Sequence, residues 1–418
     1  MPKLLFVSKG ILKRTGGAET AAYHILQGIL KQNNTNSVII LTNKVKSSME
    51  IKELSVSYML SLKKEIKIYS IPLIKPRLPI YTDYFDAKRF KIWIRNIIVR
   101  ENIDLIHIHA YSTFYITPDP SWKVPVLYTF HDFPIKWPKN PINCFPINYI
   151  EKFWYFIAKK YWQFLLSDKN SLVSSLYFHC NGSDSRDHLL HKGVNKQHIL
   201  LLANGYKSLE LNKNQKFETI SAKLLDLFDP QNQKLKLLAV GQFNNIKNQK
   251  TLINGFIKFS EDNKDSILFL IGRPSPIIGS FYIRKILKSL NKKQRQNIVW
   301  FGFVPNIILI GLYKIADLIV LTSYSEASPL ILEECKNMGK GLLSTRVGAL
   351  KDLLPADLTK LDPNSPELLT DELKRIYQNK EVLKNYESLI NNSELPTWDD
   401  IGNKISKFYE FMISNKKG

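Results

Sequence analysis

The chain has 418 residues, of which 44% are hydrophobic, and its formal net charge is +22. This length predicts two or three domains, and no apolar run approaches the ~18–20 residues that span a bilayer. The three cysteines (Cys144, Cys180 and Cys335) lack metal-ligand spacing, and their odd number without an export signal favours a reducing cytoplasm over a disulfide framework.

The positive charge is strongest in the first half, with +14 for residues 1–200 and +8 for residues 201–418. Nucleic acid, an anionic membrane surface or phosphorylated ligand, and general solubility are the three competing interpretations. The chain contains no nucleic-acid-binding module, no Cys/His zinc pattern and no Lys/Arg tail. Nucleic acid is therefore disfavoured as a partner.

Strand and helix patterns alternate along the first half. Short apolar runs predict strands at residues 4–7, 37–41, 104–109, 124–130 and 198–202. Apolar residues at helical spacing predict helices at residues 18–31, 87–100 and 149–166. This order is typical of a doubly wound parallel sheet.

A second alternation follows a polar stretch, residues 206–234, which predicts a linker. Its five predicted strands are residues 235–240, 266–271, 297–301, 318–321 and 341–345, with one of the helices between them at 309–316. Two α/β units therefore follow each other, and we expect a cleft between them.

Glycines and cations follow several of these strands. Gly16 and Gly17 can bring a backbone close to an anion at a helix start, although such a pair is more often an ordinary turn. Lys247 can meet a diphosphate, although a lone lysine in so basic a chain also fits a solvated surface. Gly272 and Arg273 fit either a phosphate pocket or a turn. Their shared place at carboxyl strand ends favours a ligand site.

Two glutamates follow the strand at residues 318–321. Glu326 falls in the loop, and Glu334 falls about a turn and a half inside a helix that begins near Pro329. One carboxylate can then face a reacting sugar while the other reaches back to a ribose.

This pair and its context resemble the retaining glycosyltransferases of family 4, which have the two-domain GT-B fold. The family's hallmark is two glutamates separated by seven residues, and the likeness continues through residues 339–348. It covers nearly the whole chain, with supporting segments in the family's order: Gly16–Glu19, His107–His109, Thr129–Asp132, Ala203–Gly205 and Trp398 to Tyr409.

The fold implied by the resemblance is α/β, with two Rossmann-like doubly wound parallel-sheet domains facing across a cleft. Its expected boundaries are residues 1–205 for the acceptor-side domain, 206–234 for the linker and 235–392 for the donor-binding domain. Residues 393–418 are expected to form a helix that packs back on the first domain.

The resemblance also implies roles for single residues. Glu326 would contact the transferred sugar, Lys247 would neutralise the leaving diphosphate, and His131 would sit near the anomeric centre; these three form the predicted catalytic set. Glu334 would bind the donor's ribose hydroxyls. The remaining predicted donor-binding residues are Gly16, Gly17, Gln242, Gly272, Arg273, Ser328, Pro329 and Leu330.

The acceptor side has weaker signals. His107 and His109 share one face of a strand, where histidines are more often structural. His109 is nearer the strand's carboxyl end and, with Asp132, is the acceptor-side prediction.

One departure from the family stands out. Gln242 occupies the position where the family usually has arginine, which weakens one phosphate contact unless Arg273 or Arg346 substitutes. This substitution keeps open the alternative of a catalytically inactive GT-B binding subunit. A GT-B sugar-nucleotide epimerase, which would act on the donor without an acceptor, is the other alternative.

Mechanism and partners complete the expectation. The chain has no Asp-x-Asp pair and no carboxylate clearly placed as a nucleophile, so we expect metal-independent, front-face transfer of a hexose with retention and no cofactor. The resemblance implies a nucleoside-diphosphate sugar donor and a glycan or lipid-linked acceptor in cell-surface polysaccharide biosynthesis.

The cysteine count predicts a cytoplasmic protein, and the charge together with the resemblance makes an anionic membrane surface a candidate partner. The aromatic, lysine-rich residues 149–166 fit an interfacial helix as well as a core helix with a basic face, and residues 87–100 add a second basic stretch.

Overall fold

The apolar runs fold into two separate parallel sheets in the computed structural model. The structure describes residues 2–11, 16–32, 37–43, 65–73, 79–110, 119–131, 176–207, 235–274 and 279–416, together with Ile116 and Phe156.

The first sheet contains seven parallel strands in the order β3-β2-β1-β4-β5-β6-β7. They are Lys3–Val7 (β1), Ser37–Asn43 (β2), Glu65–Ile71 (β3), Leu105–Ala110 (β4), Val126–Phe130 (β5), Leu176–Cys180 (β6) and Ile199–Leu201 (β7). Most of these strands are buried on both faces, which explains why they read as continuous apolar runs rather than alternating ones.

The second sheet contains five parallel strands in the order β10-β9-β8-β11-β12. They are Leu235–Val240 (β8), Ser266–Ile271 (β9), Ile298–Gly302 (β10), Leu318–Leu321 (β11) and Gly341–Ser344 (β12). The strand order reverses between β8 and β11, which makes their carboxyl ends the switch point at which open α/β sheets bind ligands.

Helices connect the strands and cover both sheets. They are Gly17–Lys31 (α1), Pro79–Glu101 (α2), Ser183–His191 (α3), Gln249–Asp262 (α4), Gly279–Ser289 (α5), Lys292–Arg295 (α6), Asn306–Ile315 (α7), Ile331–Met338 (α8), Leu350–Leu353 (α9), Pro366–Gln378 (α10), Lys380–Asn391 (α11) and Trp398–Lys416 (α12). No helix within the described ranges is both long enough and apolar enough to cross a bilayer.

Local signals fix several helix ends. The Ser365 side chain accepts from the Leu368 amide at the start of α10, where Pro366 occupies the first helical position. Helix α8 ends at Met338, and Gly339 after it has a φ of +62°, a left-handed conformation that suits glycine.

Each sheet is the centre of its own core. One apolar cluster surrounds the second sheet, and two clusters lie on the two faces of the first. Helix α12 contributes Trp398, Ile401, Ile405, Tyr409 and Met412 to the same first-sheet cluster as α1. The end of the chain therefore packs on the first sheet.

Two chain segments cross between the sheets side by side. The outgoing segment at Tyr206 forms a parallel bridge with the returning segment at Thr397. The Tyr206 amide donates to the Pro396 carbonyl at 2.7 Å, which holds the two crossings together.

The predicted architecture of two parallel α/β sheets is confirmed. All ten predicted strands are present, and the helices predicted at 18–31, 87–100 and 309–316 are found in α1, α2 and α7. Strands β3 and β6 were not predicted, and α8 begins two residues after Pro329. Apart from Phe156, the helix predicted at 149–166 lies outside the described residues.

Candidate active site

Glycines allow the strand ends of the second sheet to converge. The Gly241 amide donates to the Ile271 carbonyl at 2.9 Å, and the Gly272 amide donates to the Gly302 carbonyl at 2.7 Å. Gly272 has a φ of +145°, and a Cβ there would lie 1.8 Å from the Gly241 carbonyl oxygen. Only glycine fits this position, because any side chain would overlap the neighbouring backbone.

An ion pair joins the loops that follow β8 and β11. The Lys247 ammonium lies 2.6 and 2.7 Å from the two carboxylate oxygens of Glu326, and the Ser323 hydroxyl donates to Oε1 at 2.6 Å. The Glu326 side chain is only 8% exposed, whereas that of Lys247 is 27% exposed. The structure thus brings together two residues that sequence reasoning placed on separate loops of one sheet edge.

The loop that presents Lys247 is fixed from within. The Asn244 side chain accepts from the Lys247 amide at 2.8 Å and donates to the Gln242 side chain at 3.2 Å. Asn248 adopts a left-handed φ of 55° and donates to the Thr322 carbonyl of the neighbouring loop. These bonds hold the Lys247 backbone in place before any ligand is considered.

Glu334 lies on α8 behind this loop. The buried Tyr313 hydroxyl, from the end of α7, donates to its Oε2 atom. Burial raises the pKa of Glu334, while the hydrogen bond from Tyr313 acts in the opposite direction. Tyr313 was not singled out from the sequence, because its contact with Glu334 depends on the packing of α7 on α8.

The loop between the glutamates is held from both sheets. The Ala349 amide donates to the Ala327 carbonyl at 2.8 Å. From the first sheet, the Asn204 amide donates to the Ser328 hydroxyl at 2.9 Å, and the Asn204 side chain donates to the Ser328 carbonyl at 2.6 Å. The Ser328 side chain is thus engaged between the two sheets. In the sequence, Asn204 was recognised only as part of the segment Ala203–Gly205.

Gly16 and Gly17 lie at the start of α1, on the side of the first sheet that faces this loop. A Cβ on Gly17 would lie 3.8 Å from the Leu330 side chain, so the two predicted donor-binding segments are neighbours. The Glu19 side chain folds back towards Gly16, and burial raises the pKa of its carboxyl.

Two predicted donor-binding residues are more exposed. The Arg273 guanidinium stacks 3.8 Å from the centroid of the Phe303 ring, a cation–π contact at the carboxyl end of the sheet. Gln242 and Arg346 are both exposed. The guanidinium groups of Arg273 and Arg346 therefore lie near the carboxyl edge of the second sheet, although Gln242 itself carries no charge.

His109 and His131 meet at the carboxyl ends of β4 and β5. His109 Nδ1 lies 2.8 Å from His131 Nε2, and the rings are stacked. Burial lowers the pKa of His131 to about 3 and lowers that of His109 well below its ordinary value. Both are therefore neutral at pH 7. Asp132, the other acceptor-side prediction, lies outside the described residues.

A buried chain of hydrogen bonds lies below these two histidines. His179 Nε2 must donate to the Leu202 carbonyl at 2.9 Å, so its Nδ1 accepts from Thr129. Thr129 in turn accepts from His107 Nε2 at 2.6 Å, which leaves His107 Nδ1 to accept from Tyr409 of α12. His107 therefore has a structural role that connects the sheet to the last helix.

Within the described ranges, no group of three or more His, Cys, Asp or Glu side chains is arranged to hold a metal ion.

Comparison with known families identifies the chain. Residues 15–207 match the model described as Glycosyltransferase Family 4, and residues 227–395 match the model described as Glycosyl transferases group 1. The chain is a family 4 glycosyltransferase. The predicted family and enzyme class are confirmed. Among curated protein sequences, none matches this glycosyltransferase significantly.

Solved structures share its fold. HepE from Anabaena, solved with UDP and glucose, is 13% identical with a TM-score of 0.64, over 97% of this chain and 99% of that one. Sucrose-phosphate synthase from Thermosynechococcus elongatus is 16% identical with a TM-score of 0.67, over 99% and 100%. WaaG, a glycosyltransferase involved in lipopolysaccharide biosynthesis, is 16% identical with a TM-score of 0.64, over 97% and 98%. The predicted GT-B fold is confirmed.

Proposed function

We propose that this glycosyltransferase transfers a hexose from a nucleoside-diphosphate sugar to a glycan or lipid-linked acceptor, with retention and without a metal ion. The observation that carries the proposal is the Lys247–Glu326 pair at the switch point of the second sheet. The presence of UDP and glucose in the HepE structure supports a uridine diphosphate donor. The role of WaaG in lipopolysaccharide biosynthesis supports an acceptor used in cell-surface polysaccharides.

The donor is proposed to lie along the carboxyl edge of the second sheet. Glu334 would bind the ribose hydroxyls, and Glu326 would contact the hexose. The Lys247 ammonium, already beside Glu326, would bind the diphosphate next to that hexose. Gln242, Gly272 and Arg273 would complete the base and phosphate side. The backbone amides of Ser328, Pro329 and Leu330, with Gly16 and Gly17 opposite, would surround the sugar and phosphates.

The proposed reaction exchanges one bond at the anomeric carbon for another on the same face. The bond to the diphosphate oxygen breaks, and its electron pair leaves with the phosphate. The acceptor hydroxyl oxygen then bonds to the anomeric carbon and gives its proton to the departing phosphate. Lys247 and exposed cations stabilise the negative charge that develops on that phosphate.

His131 and His109 would act from the first sheet. Because both are neutral, His131 would hydrogen-bond the sugar near the anomeric carbon without adding charge, and the contact from His109 would orient it. Asp132 stays a proposed acceptor-side residue. The proposed domain division is 1–205, 206–234, 235–392 and 393–418.

A thermal-shift screen followed by product analysis tests the proposal. We expect one nucleoside-diphosphate sugar to raise the melting temperature and to release nucleoside diphosphate once an acceptor is added. Turnover should persist in EDTA; its loss would contradict metal independence. Binding without turnover would favour an inactive binding subunit, the reading supported by Gln242. A changed sugar configuration without an acceptor would favour an epimerase.

An anionic membrane surface is the proposed partner of α2. Its outward face exposes Ile92 (61%), Trp93 (39%) and Val99 (76%) among basic residues that include Arg95 and Arg100. Apolar side chains that enter the interface and cations that meet anionic head groups are what such a helix needs. The protein would then work at the inner face of the cytoplasmic membrane.

Liposome co-sedimentation tests this partner. The protein should bind vesicles rich in phosphatidylglycerol at low salt, and Ile92→Glu with Val99→Glu should release it. Phe281→Glu, which places a carboxylate at an exposed apolar side chain (58%) of the second domain, is the control and should bind as the unmodified chain does. Absence of binding by the unmodified chain would remove the membrane from the proposal.

A further inference from the structure

Tyr313 lies where a single hydroxyl can control a donor-binding carboxylate. It is near the end of α7, with only 1% of the residue exposed, and its hydroxyl donates to Oε2 of Glu334. Burial raises the pKa of the Tyr313 phenol well above its ordinary value. The phenol therefore keeps its proton and remains a donor at any pH at which the enzyme would work.

The two carboxylate oxygens of Glu334 have different surroundings. Oε2 accepts from Tyr313, whereas no donor to Oε1 is found in the described part of the chain. Glu334 is partly exposed, whereas its neighbours Leu332 and Cys335 are buried. One oxygen is thus anchored from inside the domain, and the other is left for a ligand.

We propose that Tyr313 is a positioning residue that orients Glu334 towards the ribose of the donor. The inference rests on the proposed function, in which Glu334 binds the ribose hydroxyls. With the anchor in place, the carboxylate plane is fixed before the donor arrives, so less rotational freedom is lost on binding. The hydrogen bond also favours the ionised carboxylate, which is a stronger acceptor for ribose hydroxyls than the neutral acid.

The chain offers a closely matched control. Tyr386 is another fully buried tyrosine of the same domain, and its hydroxyl donates to Glu372, a glutamate of α10 that is 8% exposed. Tyr313→Phe and Tyr386→Phe therefore each remove a hydroxyl that donates to a glutamate, although Glu372 is also paired with Arg375 and Lys360. Only the first pair belongs to the proposed donor site.

Calorimetry with UDP and with 2′,3′-dideoxy-UDP is the test, repeated with GDP and its dideoxy form if UDP does not bind. Tyr313→Phe should weaken binding of the ribonucleotide by about 10-fold, the usual scale for one charge-assisted hydrogen bond, and leave dideoxynucleotide binding unchanged. The donor KM should rise by a similar factor while kcat stays within about 2-fold. Tyr386→Phe should bind both nucleotides as the unmodified protein does.

Different results would contradict the role of Tyr313 and the role of Glu334. Unchanged ribonucleotide binding by Tyr313→Phe, or equal weakening towards both nucleotides, would overturn the positioning role. Glu334→Ala should abolish the preference for the ribonucleotide. If that variant kept the preference, or if neither nucleotide bound the unmodified protein, the proposed role of Glu334 would itself be wrong.

Discussion

Lys247 and Glu326 place opposite charges side by side where little water reaches the carboxylate. Such a pair gives up hydration for mutual attraction, so by itself it adds little stability. Its place at the switch point suggests a use in binding. A bound diphosphate can replace Glu326 as the partner of the Lys247 ammonium, and the Glu326 carboxylate can then contact the sugar. Removal of Lys247 leaves the buried carboxylate without its partner and should also lower stability, so the specific effect of Lys247 is expected in the turnover of the folded enzyme.

Replacement of Lys247 by alanine tests this directly. We expect kcat to fall by about 10²- to 10³-fold, the scale seen when one preorganised donor to a developing negative charge is lost. The matched control is Lys236→Ala, because Lys236 forms a comparable pair with Asp317 (3.1 Å) at the amino end of β8. Steady-state rates of both variants are the measurement, and equal losses in the two would contradict a specific role for Lys247.

At the scale of elements, helix α8 connects the proposed donor site to the crossings between the sheets. Its Glu334 belongs to the proposed ribose site, whereas Glu333 accepts from the Lys207 amide and the Trp398 indole. The Lys336 ammonium donates to the carbonyls of Asn391 and Ser393, and the Asn337 side chain donates to the Lys207 carbonyl. A shift of α8 on donor binding would therefore displace or break hydrogen bonds to both crossing segments.

The ionisation of Glu333 should make the stability of the protein depend on pH. Burial raises its pKa to about 7, above the 4.5 of a free glutamate. Between these values the folded protein holds more protons than the unfolded chain, so this group's contribution to stability is present at low pH and is lost as pH rises towards 7. Glu333→Gln should remove that loss.

Melting temperatures from pH 5 to pH 7.5 are the measurement. The difference between Glu333→Gln and the unmodified protein should grow in favour of the variant as pH rises. Glu367→Gln is the control, because the hydrogen bond from Lys258 lowers the pKa of Glu367 and moves its titration below this range. A difference that does not vary with pH would contradict the assignment to Glu333.

At the scale of the molecule, the two sheets meet through backbone as well as side chains. Gly182, at the start of α3, would place a Cβ 2.8 Å from the Ala349 amide and 3.0 Å from the Ala327 carbonyl oxygen. Beside it, Asp352 accepts from the amide and hydroxyl of Ser183, which caps α3 from the other domain. The loop behind Glu326 therefore also serves as the contact surface between domains.

Gly182→Ala should push the start of α3 away from the backbone of Ala327 and Ala349. Since the atoms it would meet are backbone, the domains or the loop must shift, and we expect the donor KM to rise about 10-fold and the radius of gyration in solution to increase. Asp352→Asn should act in the same direction by weakening the cap without adding bulk. Scattering profiles and donor KM values identical to those of the unmodified protein in both variants would rule out this contact as a determinant of closure.

The sequence predicted the site best where a functional residue directly follows a strand along the chain. Glycines after β1 and β9, Lys247 after β8 and the two glutamates after β11 could be assigned to one kind of edge, because parallel strands align their carboxyl ends. The same reasoning missed β3, whose charged residues interrupt its apolar pattern, and β6. It did not pair Tyr313 with Glu334 or Gly182 with Ala327, since these contacts depend on helix packing and on how the two domains meet.

The most direct test of the account is the turnover of Glu326→Ala with its preferred nucleotide-sugar donor and acceptor. We predict a loss of at least about 100-fold in kcat with an almost unchanged melting temperature, while Asp317→Ala, the carboxylate of the control pair, retains activity. Near-normal turnover by Glu326→Ala would contradict the assignment of the reaction to this carboxylate.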